Sequence, residues 1–384
     1  MPETGRVPVR VLELRSVRGT GGGPEKTIFT GAAQSAPDIG VTVCYLRDAR
    51  DEVFSIDRRA AAAGIDYVEV RERHSFDPSI WPQLTALVRS RGIDVVHAHD
   101  YKVNLLAWLL ARATGVVPMS TAHGYTGNSR RELWLYYPAD KKVLARFPVV
   151  VAVSSGVRDA LVAGGCRPDR VRVLLNGIDP AAFHRDPARR ASARAKYEVS
   201  EHDVVIGAVG RLEVQKRFDL LIQAVATLRK RHSQIRLLVA GDGSLREDLK
   251  SLVTRQGLGG VCRLVGQVDD VVEFHHALDL LVQSSEYEGT PNVVLEAMAM
   301  ETPVIATDVG GTAELMRSSI EGIIVPSGDV PALVGAIGGV VSDPGGARKR
   351  AEAARRRVEL ELSFESRLRR LEDIYRELAA RRRA

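Results

Sequence analysis

Two glutamates, Glu288 and Glu296, stand at the start of a predicted helix with seven residues between them. They belong to residues 284–303, SSEYEGTPNVVLEAMAMETP, which follow a short apolar run typical of a buried strand. Pro291 suits the first turn of a helix, so free backbone amides should point into the loop at Gly289. Such amides favour an anion, whereas carboxylates only accept hydrogen bonds and suit hydroxyl groups. The pattern fits a nucleotide-sugar ligand, and equally a helix start whose acids complement its dipole.

Two cations follow another predicted strand in the second half of the chain. Arg211 and Lys216 lie in residues 208–219, AVGRLEVQKRFD, beside a short loop that leads into a helix. Together they could neutralise a diphosphate, because Arg offers a bidentate fork and Lys a mobile point charge. Solvated loop charges are the alternative. A phosphate-binding Walker loop is excluded, since Gln215 stands where a glycine should precede the lysine.

A glycine-rich loop follows the first predicted strand, at Gly19 and residues 21–23. Glycines there allow either the close approach of a phosphate or a tight turn. The dinucleotide fingerprint is absent, because Pro24 occupies the place of its third glycine.

Three histidines, His97, His99 and His123, lie at or just after predicted strand ends in the first half. Each could be a structural residue, but three aimed at one place favour hydroxyl recognition or proton handling. Asn176, before Gly177, indicates a turn first and a ligand contact only by its position.

The composition bounds the class of protein. The 384 residues suffice for two domains, and 45% apolar with 27% charged residues is typical of a soluble globular protein. No uninterrupted apolar run approaches the length of about 18 residues that a membrane span needs. The first residues lack the apolar core of a signal peptide. Three scattered cysteines favour a reducing cytoplasm. The net charge of +6 is uneven, because residues 1–190 carry +7 and residues 191–384 carry −1. Such a basic half fits a nucleic acid, an anionic membrane, a phosphorylated substrate or solubility alone.

Predicted strands and helices alternate along both halves, which indicates two parallel sheets covered on both faces. Residues 178–203 interrupt the rhythm with two Asp-Pro pairs and many charges, so we assign them to a linker. The assignment gives an N-terminal domain at 1–177, a C-terminal domain at 204–362 and a C-terminal helix at 363–384. Ligands of such sheets bind at the carboxyl ends of the strands, so two facing edges would place the site in an interdomain cleft.

An ordered set of motifs resembles glycosyltransferase family 4, retaining enzymes of the GT-B fold. The set comprises GGGPEK, VVHAH, TAHG, VAVSSGV, NGID, VGRLEVQK, AGDG and an E-x7-E segment, SEYEGTPNVVLEAMAMETPVIATDVGGTAEL. The resemblance implies two Rossmann-like doubly wound domains around a cleft. It also implies a C-terminal helix that crosses back to the first domain, which we expect to bind the acceptor, while the second binds the donor.

The resemblance also implies roles for individual residues. The catalytic group would be Glu288, near the donor sugar; His123, near the reacting centre; and Arg211 with Lys216, on the donor diphosphate. Glu296 would bind the ribose hydroxyls. The remaining donor contacts would be Gly22, Gly23, Gly289, Thr290, Pro291, Asn292 and Val293. His99 and Asn176 are candidate acceptor or cleft contacts.

Three positions depart from the family pattern. Thr290 replaces a common phenylalanine, and Arg217 replaces a common glycine after the lysine. Glu301 stands where many members end the E-x7-E helix with glycine. Since glycine suits a left-handed helix cap, we expect this helix to end differently.

We therefore predict a cytoplasmic retaining glycosyltransferase that uses a UDP- or GDP-linked sugar and no cofactor. Its acceptor would be a glycan or a lipid-linked molecule of bacterial cell-surface polysaccharide or glycolipid synthesis, with no nucleic acid partner. Without any Asp-x-Asp pair to hold a metal on the diphosphate, we predict a metal-independent reaction. The alternatives are a nucleotide-sugar epimerase of the same fold and a non-catalytic nucleotide-sugar-binding protein.

A basic and aromatic segment predicts a further partner. Its cations surround residues 133–137 and Phe147, and they are Arg130, Arg131, Lys141, Lys142 and Arg146. Such a patch suits peripheral contact with an anionic membrane, and also a solvated helix that packs its apolar face on the domain.

Overall fold

The computed structural model describes residues 7–17, 19, 23–75, 77–124 and 132–383. The chain forms two compact units. The first comprises Met1–Leu174 with Arg367–Ala384, and the second comprises Leu175–Ser366.

The first unit contains a seven-stranded parallel sheet with the order β3-β2-β1-β4-β5-β6-β7. Its strands are β1 Val9–Ser16, β2 Ile39–Asp48, β3 Asp66–Glu72, β4 Val95–Ala98, β5 Val117–Ala122, β6 Val149–Ala152 and β7 Val171–Val173. The intervening helices are α1 Gly23–Ala33, α2 Ile56–Ala62, α3 Ile80–Ser90, α4 Tyr101–Thr114, α5 Tyr137–Leu144 and α6 Ser155–Ala163, with a π-helical turn at Glu132–Tyr136. Strand β6 is apolar and buried along its whole length because helices cover both faces of the sheet.

The second unit contains a six-stranded parallel sheet with the order β10-β9-β8-β11-β12-β13. Its strands are β8 Val204–Val209, β9 Ile235–Ala240, β10 Cys262–Gly266, β11 Leu280–Gln283, β12 Val304–Thr307 and β13 Ile323–Val325. Its helices are α7 Arg190–Lys196, α8 Phe218–Arg229, α9 Arg246–Arg255, α10 Val271–Ala277, α11 Asn292–Ala299, α12 Thr312–Leu315, α13 Val330–Ser342 and α14 Pro344–Leu360. The predicted pair of doubly wound sheets is thus confirmed.

The last helix, α15 Phe364–Arg383, returns the chain to the first unit. Leu371, Ile374 and Leu378 of this helix pack against Val11 of β1 and Val149 of β6. This packing confirms the crossing back that the family resemblance implied. Among the described residues, no helix combines the length and apolar character that a membrane crossing requires.

Residues 178–203, which we assigned to a linker, fold as part of the second unit. They contain α7, and Phe183 and Tyr197 are buried in the unit's core. Arg194 is 1% exposed, and its guanidinium pairs with the carboxylate of Asp279, which follows α10. The charges that suggested a linker thus include a buried arginine that pairs with an aspartate elsewhere in the second unit.

Helix α11 begins one residue later than predicted, and it keeps the left-handed end that we did not expect in the absence of a glycine. Pro291 is extended (φ −73°, ψ 100°) and caps the helix, so the first helical residue is Asn292. At the other end Glu301 is left-handed, with φ 50°, and the amide of Thr302 donates to the carbonyl of Ala297 (2.9 Å). This is the Schellman arrangement that glycine usually completes. The expectation that the helix would end differently without glycine was therefore wrong.

Glu301→Gly should stabilise the protein by about 0.5–1 kcal/mol. A non-glycine residue in the left-handed region costs about 1–2 kcal/mol, and the greater unfolded-state freedom of glycine offsets about 0.5–1 kcal/mol of the gain. Urea denaturation would measure the difference. Glu301→Ala is the matched control, because alanine keeps the conformational cost. Equal stability of the glycine and alanine variants would show that the left-handed conformation at residue 301 carries no such cost.

Candidate functional site

The loops that follow β8 and β11 bring two of the predicted residues together. The Nζ atom of Lys216 lies 2.6 Å from Oε1 of Glu288, whose side chain is largely buried. The hydroxyl of Ser285 donates to the same oxygen (2.6 Å), and the amide of Gln283 lies 3.5 Å from it. The carboxylate is thereby fixed in one orientation at the carboxyl edge of the sheet.

Further contacts tie the two loops to each other. The hydroxyl of Ser284 donates to the carbonyl of Lys216 (2.9 Å), and the amide of Glu286 donates to the carbonyl of Gln215 (2.8 Å). Arg217 is left-handed (φ 48°), which explains the common glycine at this position, and it pairs with Glu286 (3.5 Å). These bonds hold the lysine beside the glutamate before any ligand binds.

Gly310 packs closely against the backbone of the Glu288 loop. A Cβ atom at Gly310 would lie 1.9 Å from the carbonyl oxygen of Glu288, and the amide of Gly311 donates to the carbonyl of Gly289 (2.7 Å). Any larger residue would push the loop away. Sequence reasoning missed this support, although the Gly-Gly pair shortly after an apolar strand was a visible signal.

Sequence reasoning also missed a polar support under the same loop. The hydroxyl of Thr307 donates to the carbonyl of Ser285 (2.6 Å), and its amide donates to Oε1 of Gln283 (3.1 Å). Both side chains end apolar strands, which was the only signal for them.

The start of α11 faces this loop, with Gly289, Thr290 and Pro291 buried. The first-turn amides of a helix have no carbonyl partner within the helix, so those of Asn292 and Val293 are candidate anion donors. Nδ2 of Asn176 donates to Oδ1 of Asn292 (2.9 Å), which places Asn176 beside this helix start.

The other residues predicted to contact the donor lie at separate places in the two units. Glu296 is half-buried, one turn inside α11. Arg211 is exposed, and no contact with Lys216 or Glu288 is seen for it within the described ranges. Gly23 begins α1, whereas Gly22 lies outside the described residues, as do Arg130 and Arg131.

The first unit gathers the three histidines around a buried glutamate, Glu13 of β1. Its two carboxylate oxygens contact different rings: Oε1 lies 3.1 Å from Nδ1 of His97, and Oε2 contacts Nε2 of His99. Nδ1 of His99 in turn lies 3.2 Å from Nε2 of His123. The three histidines therefore form one cluster, as their strand-end positions suggested.

Two more side chains complete the cluster. The hydroxyl of Tyr375, from α15, donates to Oε1 of Glu13 (2.6 Å) and lies 2.7 Å from Nδ1 of His97. The hydroxyl of Thr121 lies 2.8 Å from Nε2 of His97. The signal for Glu13 was an acid in the middle of an apolar strand, whereas nothing local pointed to Tyr375.

Burial and mutual contacts shift the proton affinities in this cluster. Burial lowers the pKa of His99 to about 4 and lowers that of His123 well below its ordinary value. Burial by itself would raise the pKa of Glu13, but the adjacent His97 and His99 hold it well below the usual range. At neutral pH the carboxylate is ionised, and His99 and His123 are neutral.

Within the described residues, Glu13, His97 and His99 also form one group whose potential metal ligands lie within 4.8 Å of one another. Each of these side chains already hydrogen-bonds to another member of the cluster. A metal ion would have to displace those bonds, so the geometry fits a hydrogen-bond network. The cluster borders a pocket that Thr27 and Arg367 also line.

The two parallel sheets define the class of protein. HepE of Anabaena, solved with UDP and in a separate structure with UDP-glucose, superposes on this chain with a TM-score of 0.84 for each, at 19% and 20% identity. The superposition with the UDP complex covers 95% of this chain and 99% of that one. Sucrose-phosphate synthase from Thermosynechococcus elongatus gives a TM-score of 0.82 at 23% identity, over 97% of this chain and 99% of that one. The fold is that of the GT-B glycosyltransferases.

The sequence comparisons identify the family. The model "Glycosyltransferase Family 4" matches residues 22–182, and the model "Glycosyl transferases group 1" matches residues 189–357. The alpha-D-kanosaminyltransferase of Streptomyces kanamyceticus is 32% identical over 300 residues, covering 74% of this chain and 77% of that protein. Glycogen synthase of Mycobacterium tuberculosis is 30% identical over 290 residues, covering 72% and 67%. The chain belongs to the group 1 glycosyltransferases, of the family 4 type.

Proposed function

We propose that this protein is a retaining glycosyltransferase that moves a sugar from a nucleotide-sugar to a glycan or lipid-linked acceptor. The observation that carries the proposal is the ion pair of Lys216 and Glu288, held by Ser285 beside the start of α11. A cation, oriented carboxylate oxygens and helix amides in one place offer partners for both phosphate and hydroxyl groups. HepE, solved with UDP-glucose, makes UDP-sugars the first donors to test, with GDP-sugars next.

The donor would lie with its diphosphate against Lys216, Arg211 and the first-turn amides of α11. Glu288 would accept a hydrogen bond from a sugar hydroxyl, and Glu296 would accept from the ribose. Charge builds on the leaving diphosphate as the glycosidic bond breaks, so fixed donors there lower the barrier. The departing phosphate would take the acceptor's proton on the face that it leaves, which retains the anomeric configuration. In this scheme the cations of the protein, rather than a metal ion, neutralise the charge of the diphosphate.

A panel of UDP-, GDP- and ADP-sugars, with chelator present, tests the proposal. A ligand that binds only the native state raises its melting temperature. The bound donor is then incubated with and without candidate acceptors, and the products are analysed. We expect a glycosylated product with retained configuration. An epimerised donor would indicate the epimerase instead, and binding without turnover or hydrolysis would indicate a non-catalytic binding protein.

Named relatives suggest the pathway. Similar proteins include a putative glycosyltransferase, EpsD, of Bacillus subtilis (29% identical) and a lipopolysaccharide core biosynthesis glycosyltransferase, LpsE, of Rhizobium meliloti (30%). We infer a role in cell-surface polysaccharide or glycolipid synthesis, on the cytoplasmic side of the membrane where nucleotide-sugars are made available.

An exposed apolar surface of the first unit supports peripheral membrane contact. Tyr101, Leu105 and Leu109 recur every four residues on α4 and are exposed, and Trp134 and Leu135 of the π-helical turn are 81% and 61% exposed. Lys142 and Arg146 of the predicted basic patch are exposed nearby in sequence, whereas Phe147 is fully buried and belongs to the core. An apolar surface with adjacent cations suits anionic lipid headgroups.

The double variant Trp134→Ala/Leu135→Ala should bind anionic vesicles at least about tenfold more weakly than the wild type. Burying one large apolar side chain contributes about 1.5–3 kcal/mol, and both side chains would enter the interface. Co-sedimentation with phosphatidylglycerol vesicles at low salt measures the change. The control is Leu360→Ala, a 79% exposed leucine of the second unit. Equal loss in the control, or no wild-type binding, would contradict the membrane proposal.

A further inference from the structure

We propose that Glu13 is a positioning residue that acts through His99 to fix the tautomer of His123, leaving Nδ1 of His123 as a hydrogen-bond acceptor for a substrate hydroxyl. The inference rests on the proposed function, because it assigns the substrate contact to His123. Neither Glu13 nor His99 needs to touch the substrate.

The proton positions follow from the carboxylate outward. An ionised carboxylate only accepts hydrogen bonds, so Nε2 of His99 carries the proton that it shares with Oε2 of Glu13. In a neutral ring the other nitrogen is then bare, so Nδ1 of His99 accepts. Its partner at 3.2 Å, Nε2 of His123, must therefore donate. The remaining nitrogen of His123, Nδ1, keeps its lone pair.

The other side of the carboxylate fits the same assignment. The single hydroxyl proton of Tyr375 goes to Oε1 of Glu13 (2.6 Å), so its oxygen accepts from Nδ1 of His97 (2.7 Å). Each donor at Glu13 then has one acceptor, and none of these bonds requires a proton on the carboxylate. A satisfied buried network of this kind holds its members in one arrangement.

Burial and the nearby cations lower the pKa values of His99 and His123, and at His99 they outweigh the ionised Glu13, which raises the pKa. Burial has the largest effect on His123, and the nearby His99, Arg15, Arg367 and His97 lower its pKa further. Arg15 also faces His99, where it approaches the backbone carbonyl (3.5 Å), and its own counter-ion is Glu25. His99 and His123 therefore stay neutral at working pH, and their tautomers are set by Glu13.

The consequence for the reaction is directional. With Nδ1 bare, His123 accepts a hydrogen bond from a sugar or acceptor hydroxyl and orients it. If His99 carried its proton on Nδ1 instead, His123 would have to accept at Nε2 and would hold its own proton on Nδ1. The same ring would then donate to the hydroxyl oxygen instead of accepting from it, so the O–H bond of the substrate would point away from His123.

Histidine-selective 15N NMR of the full-length protein reads the tautomers directly, with His123 assigned from a His123→Ala spectrum. The wild type should show a protonated Nε2 and a bare Nδ1 at His123. Glu13→Gln should mix the tautomers, since the amide can donate to His99 as well as accept from it. The control is Glu372→Gln, a buried glutamate of α15 bonded to the amide of Ala36. A protonated Nδ1 in the wild type, or an unchanged His123 in Glu13→Gln, would overturn the proposal.

Kinetics with the donor found above supply the second readout. Glu13→Gln should lower kcat about 100-fold, the loss that misplacing a substrate by about 1 Å can cause, with little change in donor KM. If that variant fails to fold, His99→Gln and His99→Leu replace it. Glutamine can donate to Glu13 and accept from His123, so it should exceed leucine in kcat by at least about tenfold. Equal kcat values for the glutamine and leucine variants would overturn the positioning role of Glu13 and His99. If the wild type turned over none of the donors, the proposed function would be overturned instead.

Discussion

Lys216→Ala should lower turnover of the donor by about 10²–10³-fold while the protein stays folded. Loss of one fixed donor to a developing negative charge costs about 2.7–4 kcal/mol in the barrier of other enzymes. Lys216 is held by its backbone bond to Ser284 and by its ion pair with Glu288, so its position does not depend on the ligand. Removing it also leaves the carboxylate of Glu288 with fewer donors. Release of nucleoside diphosphate under saturating donor measures the effect.

The matched control for this variant is Lys250→Ala. Lys250 is a half-exposed lysine of α9 that pairs with Glu247 (2.7 Å), far along the chain from the proposed site. Its turnover should equal that of the wild type, and both variants should melt within a few degrees of it. A Lys216→Ala protein with near-normal turnover would show that the diphosphate does not use this lysine.

Asp279→Ala should lower the free energy of unfolding by about 3 kcal/mol. Its carboxylate accepts from Arg194 (2.5 Å), Arg190 (2.8 Å) and the amide of Val205 (2.8 Å). Removing one partner of a buried ion pair costs about 3–5 kcal/mol because the other charge stays buried. We take the lower end, since the Asp279 side chain is 29% exposed and Arg194 keeps two backbone carbonyls. Urea denaturation followed by circular dichroism measures the loss.

The control is Asp159→Ala, an exposed aspartate on α6 whose only described ion pair is with Arg158 (3.2 Å). Exposed pairs contribute about 0–1 kcal/mol, so this variant should stay close to the wild type. A second variant, Arg194→Met with Asp279→Leu, removes both charges and should recover much of the loss. Equal stability of the two aspartate variants would show that the charge of Arg194 is compensated elsewhere.

The parts of the fold that the sequence predicted are those set by local periodicity. Short apolar runs such as Val149–Ala152 give buried parallel strands because their whole surface is covered, and Gly-rich or Pro-containing turns separate them from helices. The Glu288 loop could be predicted for the same reason, since a strand, a turn and a helix start follow one another within a few residues.

The parts that escaped prediction depend on contacts distant in sequence or on tertiary override of a local preference. Glu13 and Tyr375 are 362 residues apart and meet only because α15 returns to the first sheet. The Asp-Pro pairs and charges of 178–203 suggested a linker, because the sequence does not show that the buried Arg194 pairs with Asp279. At Glu301, the Schellman end of α11 places a non-glycine residue in the left-handed region, which intrinsic preference opposes.

A crystal structure of the protein with UDP and chelator would show whether the second unit binds a nucleoside diphosphate at the Lys216–Glu288 loop and the start of α11. We expect diphosphate oxygens within about 2.7–3.2 Å of Nζ of Lys216 and of the amides of Asn292 or Val293. UDP bound with its phosphates away from both the lysine and this helix start would rule out the donor site proposed above.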